Sequence, residues 1–243
     1  MLNDLTRTFN PECDLEDIET KLFNSNLIRT FDLELEVEDF ELVNQLAYDQ
    51  FAHTYERITS NPNKEDRKTQ KGMLNKFVDH LAENKVLDIG CGVGYNLKLL
   101  KELGVEVSGV DISREMLGYA SERCPDVKLY HSSIADFKTD EKFDGVVMEA
   151  FIHLFPKTKV NKVFEKVKTL MKPEGIGTLT TTRNDHSYEG FFSKEYSQKD
   201  RRFRRFWKPE DLVSATQEAG FKILEEQHYH NFGKDWIRLT FQK

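Results

Sequence analysis

The chain has 243 residues, 38% of them hydrophobic and 32% charged, with a formal net charge of −7. That length and apolar content suffice for one packed α/β domain, and no run approaches the ~20 apolar residues that cross a bilayer, which argues against a membrane protein. Cys13, Cys91 and Cys124 are isolated and odd in number, so neither a disulfide framework nor a zinc site follows, and no metal is expected.

The charge is uneven: residues 1–60 carry −10 and the remainder +3. The acidic start has neither the basic residues nor the apolar centre of a signal peptide, so a cytoplasmic protein is expected. Asp14 to Asn24 and Val37 to Arg57 have helical apolar spacing. Asn61-Pro62-Asn63 breaks the chain before another helix through Thr69 to Glu83.

A short buried strand, Lys85 to Ile89, then runs into Gly90-Cys91-Gly92-Val93-Gly94 and a helix from Tyr95 to Leu103 that stops at Gly104. Glycine in such a turn permits positive φ and lets a ligand approach the backbone, while the helix start offers unpaired N–H groups. The next strand, 106–110, ends in Asp111, where a ribose diol could be held by two hydrogen bonds. Further strands are expected near 127–131, 143–149 and 175–182, with helices between them, and a helix from Pro209 to Ala219 ends at Gly220. Lys222 to Tyr229 and Trp236 to Gln242 alternate like a closing antiparallel hairpin. Paired polar positions on one strand face account for His228 and His230 better than a metal site does.

The connection from Asn184 to Trp207 is long for a compact domain, and such loops are usually functional or disordered. Within it and just beyond, Lys194 to Lys208 sets seven basic residues against Glu195 and Asp200, interleaved with Tyr196, Phe203, Phe206 and Trp207. That pattern is a small version of a nucleic-acid patch. A solvated or internally paired surface is the favoured reading, and with the chain acidic overall no nucleic-acid partner is expected.

The glycines do not fit G-x-G-x-x-G. With Asp88 they form D-x-G-x-G-x-G, which resembles motif I of the class I S-adenosylmethionine-dependent methyltransferases. Phe143-Asp144-Gly145-Val146-Val147-Met148 resembles the fourth-strand motif of that family. Leu170-Met171-Lys172-Pro173-Glu174-Gly175 resembles the turn before its fifth strand, with Glu174 where many members carry glycine. In Leu129 to Ala135, Ser133 stands where many members have an aspartate near the adenine. The resemblance covers roughly residues 48–243 and implies a Rossmann-like, seven-stranded, mostly parallel sheet with an antiparallel last strand, helices on both faces and an N-terminal helical cap. Residues 1–60 are then an acidic cap or lid, and 61–243 a catalytic domain with an insertion at 184–207.

The resemblance further implies S-adenosylmethionine as cofactor, with S-adenosylhomocysteine as product. Its binding residues would be Asp88, Gly90, Cys91, Gly92, Gly94, Asn96, Asp111, Ile112, Met116, Ser133, Ile134, Ala135 and Glu149. For Cys91, packing in the loop is the simpler role than nucleophile. Tyr48-Asp49-Gln50-Phe51-Ala52-His53-Thr54-Tyr55 resembles the Y-D-x-x-A-x-x-Y element that closes a helix over the cofactor in small-molecule members; packing of the cap is the other reading. Candidates for contact with the acceptor are Tyr48, Phe51, Tyr55, His153, Arg183, His186, Tyr188, Phe203 and Trp207. His153, Glu149 and Tyr188 are candidates for proton transfer, His153 because it follows the fourth strand where many members place a histidine beside the methyl; a packing role for it is the alternative. The acidic cap and the basic insertion are expected to face each other across the acceptor entrance.

The function implied is transfer of a methyl group to an oxygen or nitrogen of a small-molecule acceptor by a soluble enzyme, with a homodimer compatible. The alternatives are a tRNA or protein methyltransferase, a noncatalytic partner subunit that binds the same cofactor, and a nicotinamide-dependent oxidoreductase.

Overall fold

The computed structural model describes residues 40–59, 64–194, 197–231 and 234–243. Residues 1–39, with Cys13 and the helix expected over 14–24, lie outside the described residues. Among the described residues two helices come first, α1 (Phe40–Thr59) and α2 (Lys64–Val78). There follow β1 (Lys85–Ile89), α3 (Tyr95–Glu102), β2 (Glu106–Asp111), α4 (Arg114–Arg123), β3 (Lys128–His131) and β4 (Phe143–Glu149). A 3-10 turn over Ile152–Leu154 leads to α5 (Lys157–Leu170), β5 (Met171–Thr182), β6 (Tyr188–Lys194), β7 (Ser197–Phe206), α6 (Pro209–Glu218), β8 (Lys222–Asn231) and β9 (Lys234–Gln242).

Seven strands form one sheet in the order β3-β2-β1-β4-β5-β9-β8. The first five are parallel and β9 runs antiparallel to both of its neighbours. The central strands are covered on both faces, which is why Val86-Leu87 and Val146-Val147-Met148 read as unbroken apolar runs. Leu97, Leu99, Leu100, Leu117 and Phe77 close one face, and Val160, Val163, Phe164, Val167 and Leu212 close the other. Chain order reverses between β1 and β4, so a crevice opens at the carboxyl ends of those two strands, where ligands bind in open α/β sheets. Among the described residues no helix is long and apolar enough to cross a membrane.

Three expectations need correction. The second helix begins at Lys64 and ends at Val78 instead of running from 69 to 83, because the Glu83 amide donates to Asp144 Oδ2 at 2.7 Å and leaves the helical ladder. No helix lies between β3 and β4: Ser133 accepts the Asp136 amide and Thr139 accepts the Glu141 amide, so side chains take up backbone groups in turns. The insertion is not an open loop. β6 and β7 pair as an antiparallel hairpin and form their own sheet, docked through Phe203, which has no exposed surface and meets Phe40 and Phe191 edge-on. Truncating such a side chain to alanine costs about 3–5 kcal/mol.

The turn into β5 explains an oddity of the sequence. Pairing with β4 jumps from Phe143–Met171 to Gly145–Ile176, and within the bulge Glu174 has φ 58°. A left-handed backbone is where glycine costs nothing and any other L-residue is strained.

Candidate active site

The three alternating glycines all have positive φ: 72° at Gly90, 51° at Gly92 and 77° at Gly94. They turn the chain from β1 into α3, and the amides of Gly90 and Cys91 both donate to Val110 O, at 2.8 and 3.2 Å. A Cβ on Gly90 would lie 2.5 Å from the Phe151 ring, whereas one on Gly92 would meet nothing nearer than Tyr55 at 4.0 Å. Gly92 therefore faces open space, which suits a bound molecule pressed against the backbone. Gly94 instead serves packing, because a Cβ there would come within 3.0 Å of the Ala120 backbone.

Asp111 staples this loop to the next one. Its Oδ2 accepts the Gly92 amide at 2.8 Å and its Oδ1 the Ser113 amide at 2.9 Å. Burial pushes its carboxyl up, against the pull of these two N–H groups. Asp88 is more extreme. It is 1% exposed, and among the described residues neither carboxylate oxygen has a hydrogen-bond partner. Burial, then Glu149 and Asp111, push its carboxyl well above the usual range. An uncompensated buried carboxylate is costly, and a cationic group of a bound molecule would relieve it.

Glu149 ends β4 and is held by three donors: Thr180 Oγ1 at 2.9 Å, Arg238 Nη2 at 3.0 Å and Gln70 Nε2 at 3.3 Å. Gln70 also donates to Asn96 Oδ1 at 3.0 Å, which orients the first turn of α3. Burial, with Glu149 nearby, raises the phenol of Tyr229. Sequence spacing gave no hint of Gln70, Arg238 or Tyr229, since they come from α2, β9 and β8 and meet only through the sheet order.

A cavity of about 910 Å³ extends from the glycine loop across the ends of β1 and β4 to the β6–β7 hairpin. Gly90, Cys91, Gly92, Asn96, Asp111, Ile112, Met116, Ser133, Ile134 and Glu149 all lie on its wall. Asp88, Gly94 and Ala135 do not; Ala135 is exposed beside it. Ser133 Oγ donates to Asp136 Oδ2 at 2.9 Å, so its hydroxyl proton is already engaged. Cys91 packs its sulfur where a Cβ on Gly109 would approach to 2.8 Å, and burial, then Asp111, raise its thiol well above normal. That is the environment of an inert thiol.

Helix α1 roofs the cavity. Tyr48 and Tyr55 line it, and Phe51 points into the core instead. Glu56 accepts both a 2.6 and a 2.7 Å bond from Arg123 Nη2, and Arg123 also donates to Val93 O in the glycine loop. Asp49 accepts from Ser113 Oγ, the N-cap of α4. Asn44, which spacing did not single out, donates to Leu154 O at 3.1 Å and accepts the Phe203 amide at 2.8 Å. Contact between the roof and the hairpin thus runs through Asn44 and through Tyr48, whose hydroxyl accepts from Arg202 at 2.7 Å. The acidic residues of α1 whose partners are seen here reach toward α4.

His153 lies in the 3-10 turn, 3% exposed, with Nδ1 3.2 Å from Thr181 Oγ1, and it lines the cavity together with Arg183. Four other candidates are not at the wall. Phe203 and Trp207 belong to the core, His186 is exposed, and Tyr188 is 44% exposed and stacks on Phe206 at 4.4 Å. Strand alternation is the reason for the first two: residues 202, 204 and 206 face the cavity, so 203, 205 and 207 face the interior. His228 and His230 pair with Glu226 and Asp235, at 2.7 and 3.0 Å.

Comparison with known proteins agrees with this geometry. Residues 86–175 match the family described as "Methyltransferase domain". A Bacillus subtilis (strain 168) protein named as a methyltransferase, YqeM, is 26% identical over 207 residues, 81% of each chain. The ubiquinone biosynthesis O-methyltransferase of Paraburkholderia phymatum is 31% identical over 162 residues, 60% of this chain and 68% of the relative. Among solved structures, the Burkholderia thailandensis 1,6-didemethyltoxoflavin-N1-methyltransferase, with bound 1,6-didemethyltoxoflavin and S-adenosylhomocysteine, superposes with a TM-score of 0.70 at 16% identity. The match covers 88% of this chain and 93% of that one. With the D-x-G-x-G-x-G turn, the strand order and these relatives in agreement, the chain belongs to the class I S-adenosylmethionine-dependent methyltransferases.

Proposed function

We propose that this methyltransferase acts on an oxygen or nitrogen of a small molecule. The observation that carries the reading is the roofed cavity: about 910 Å³, near the top of the ~300–1,000 Å³ range of small-molecule sites. It has room for a cofactor and an acceptor side by side. The names of the relatives, an O-methyltransferase of ubiquinone biosynthesis and an N1-methyltransferase, support an acceptor of this class. The inward-facing arginines of β7 leave Arg201 as the one exposed residue of 201–207, which speaks against a nucleic-acid patch.

When bound, S-adenosylmethionine supplies a methyl group on a positively charged sulfur, which leaves with the bonding pair as the acceptor's lone pair attacks from the opposite side. The cofactor half of the site is assigned to Asp88, the loop Gly90–Gly94, Asn96, Asp111, Ile112, Met116, Ser133 and Ile134. Asp88, buried behind the wall, favours a cationic group in front of it, Asp111 receives hydroxyls, and Gly92 gives close backbone approach. Glu149, committed to three donors, orients the floor. His153, held by Thr181 on the wall near the end of β4, takes the proton that an attacking hydroxyl or amine must lose; histidine titrates near neutrality and suits that task. The roof α1 acts as a cover that excludes water and holds the acceptor in line. Two described cysteines that are buried and unpaired fit a reducing compartment, the cytoplasm.

The test supplies the full chain with methyl-labelled cofactor and, separately, a cell extract filtered to small molecules, total RNA, and unmodified protein. Label is expected in the small-molecule fraction. Label in RNA or protein, or none anywhere while S-adenosylhomocysteine still binds, would overturn the reading.

A further inference from the structure

Glu149, Thr180 and Arg238 are neighbours across three strands. The register sets Glu149 of β4 against Thr180 of β5, and Thr180 against Arg238 of β9, so the three side chains stand in a row on one face of the sheet. Arg238 is 2% exposed, while Ile237 and Leu239 on either side of it belong to the core of the other face. A buried guanidinium in mid-strand is costly unless a fixed acceptor offsets the lost water. Glu149 Oε2 is that acceptor, 3.0 Å from Nη2. All three donors to Glu149 converge on Oε2, from α2, β5 and β9. Its Oε1 has no hydrogen-bond partner among the described residues, and the side chain, 20% exposed, lies on the cavity wall.

The same arginine sets the direction of an amide. Its Nη2 also donates to Gln70 Oε1, at 3.4 Å. Arginine can only donate, so Gln70 must turn its oxygen toward Arg238 and its NH₂ elsewhere. That NH₂ donates to Glu149 Oε2 at 3.3 Å and to Asn96 Oδ1 at 3.0 Å. Asn96, with its oxygen so engaged, keeps its own NH₂ for the cavity it lines. Glu149 and Asn96 are bonded to one nitrogen and are therefore neighbours on the wall, one with an anionic oxygen to offer and the other with an N–H donor. Other charged groups surround this row. Asp88 is near enough for Glu149 to raise its carboxyl, and Glu41, Asp66 and Asp111 lie on the same wall. Tyr229, from β8, keeps its proton, because burial and Glu149 raise its phenol. The surrounding acids favour a cation at large; the row adds direction.

We propose that Arg238 is a positioning residue for the methyl donor: through Glu149 and Gln70 it presents an acceptor, Glu149 Oε1, and a donor, Asn96 Nδ2, side by side to the amino-acid end of the cofactor. That end carries an ammonium and a carboxylate on one carbon and calls for opposite partners close together. Arg238 itself touches neither. The inference rests on the cofactor half assigned above and adds to it the residue that orders its polar groups.

The test uses the full chain and calorimetric titration with two probes. S-adenosylhomocysteine carries the amino-acid end; 5′-methylthioadenosine keeps the adenosine and the sulfur but has neither ammonium nor carboxylate. Arg238→Met should weaken S-adenosylhomocysteine by about tenfold or more, as charge-assisted bonds are lost, and leave 5′-methylthioadenosine within about threefold. Arg238→Lys, which keeps the charge without the fork, should restore part of the loss. Gln70→Met should reproduce the selective loss without leaving a buried charge unpaired, so it reads the same relay even if Arg238→Met fails to fold. Folded variants that lose both probes in parallel, or neither, would overturn the proposal. Failure of the unaltered protein to bind S-adenosylhomocysteine would instead overturn the cofactor assignment on which it rests.

Discussion

Replacing Asp111 by alanine tests the cofactor half of the site most directly. Each carboxylate oxygen has two acceptor directions, and the structure shows one on each filled by a backbone amide, Gly92 on Oδ2 and Ser113 on Oδ1. One direction per oxygen remains for a ribose diol. Two charge-assisted bonds at ~1.5–3 kcal/mol each set a ceiling of ~3–6 kcal/mol. Water filling the truncated space returns part of this, leaving about 2–4 kcal/mol, or roughly 30- to 1000-fold in affinity. Asp111→Asn should do no better. Its single oxygen can serve one amide, and the NH₂ then confronts the other N–H, donor against donor, in a buried place where an unmet group costs about 1–3 kcal/mol. The assay is calorimetric titration with S-adenosylhomocysteine, with circular dichroism and melting temperature as controls on the fold. If both variants bound within threefold of the unaltered protein and melted normally, Asp111 would be a loop staple and not a ligand contact.

Three other outcomes are expected. His153→Ala should lower kcat by about 10² with little change in affinity for S-adenosylhomocysteine; full turnover of the variant at every pH tested would reduce His153 to packing. Glu174→Gly should stabilise the fold, because relief of a left-handed L-residue is worth roughly 1–2 kcal/mol and the extra chain freedom of glycine takes back about 0.5–1 kcal/mol. A melting temperature that falls would mean that the φ of 58° carries no strain. Hydrogen bonds from Lys128, Lys85 and Tyr130 hold the Glu141 carboxyl at about 2, down from an ordinary 4.5. A depressed carboxyl stabilises the fold above its unfolded value and loses that contribution as pH falls through the folded one. Glu141→Gln should therefore flatten the acid side of the melting curve between those two values, and an unchanged slope would assign the acid sensitivity to other groups.

The glycine-loop end of the cavity was legible because its determinants are local. A fully buried strand, three alternating glycines and an aspartate at the tip of the following strand all fall between residues 85 and 111, and the structure finds them where the spacing put them. The end of the cavity at the β6–β7 hairpin was legible in part. The run Arg-Arg-Phe-Arg-Arg-Phe-Trp over 201–207 has no period of two, because Arg205 is buried against Glu189 and stands where an apolar residue would otherwise mark the inner face. Read without that pairing, the run offers Phe203 and Trp207 as acceptor contacts and leaves Arg202, Arg204 and Phe206 as members of a basic and aromatic stretch. Asn44, Gln70 and Arg238 were invisible for another reason. Gln70 and Arg238 stand 168 positions apart, Asn44 and Phe203 159, and such contacts exist only once the sheet order is known.

The hairpin that carries Arg202, Arg204 and Phe206 pairs with itself. It touches the strand system at the bridge between Arg183 and Trp207, and none of its hydrogen-bond ladder belongs to the seven-stranded sheet. Substitutions on its cavity face therefore leave in place the ladder of the sheet and the turn at Gly90 to Gly94. Phe203 and Trp207, on the opposite face, keep it anchored while 202, 204 and 206 vary. The architecture separates a locked part from a replaceable one: the glycine loop is built into the seven-stranded sheet, and the hairpin is a tile laid beside it. Drift on three alternating positions can therefore reshape one wall of the cavity, and an engineer can follow the same route by randomising those three and leaving the rest alone.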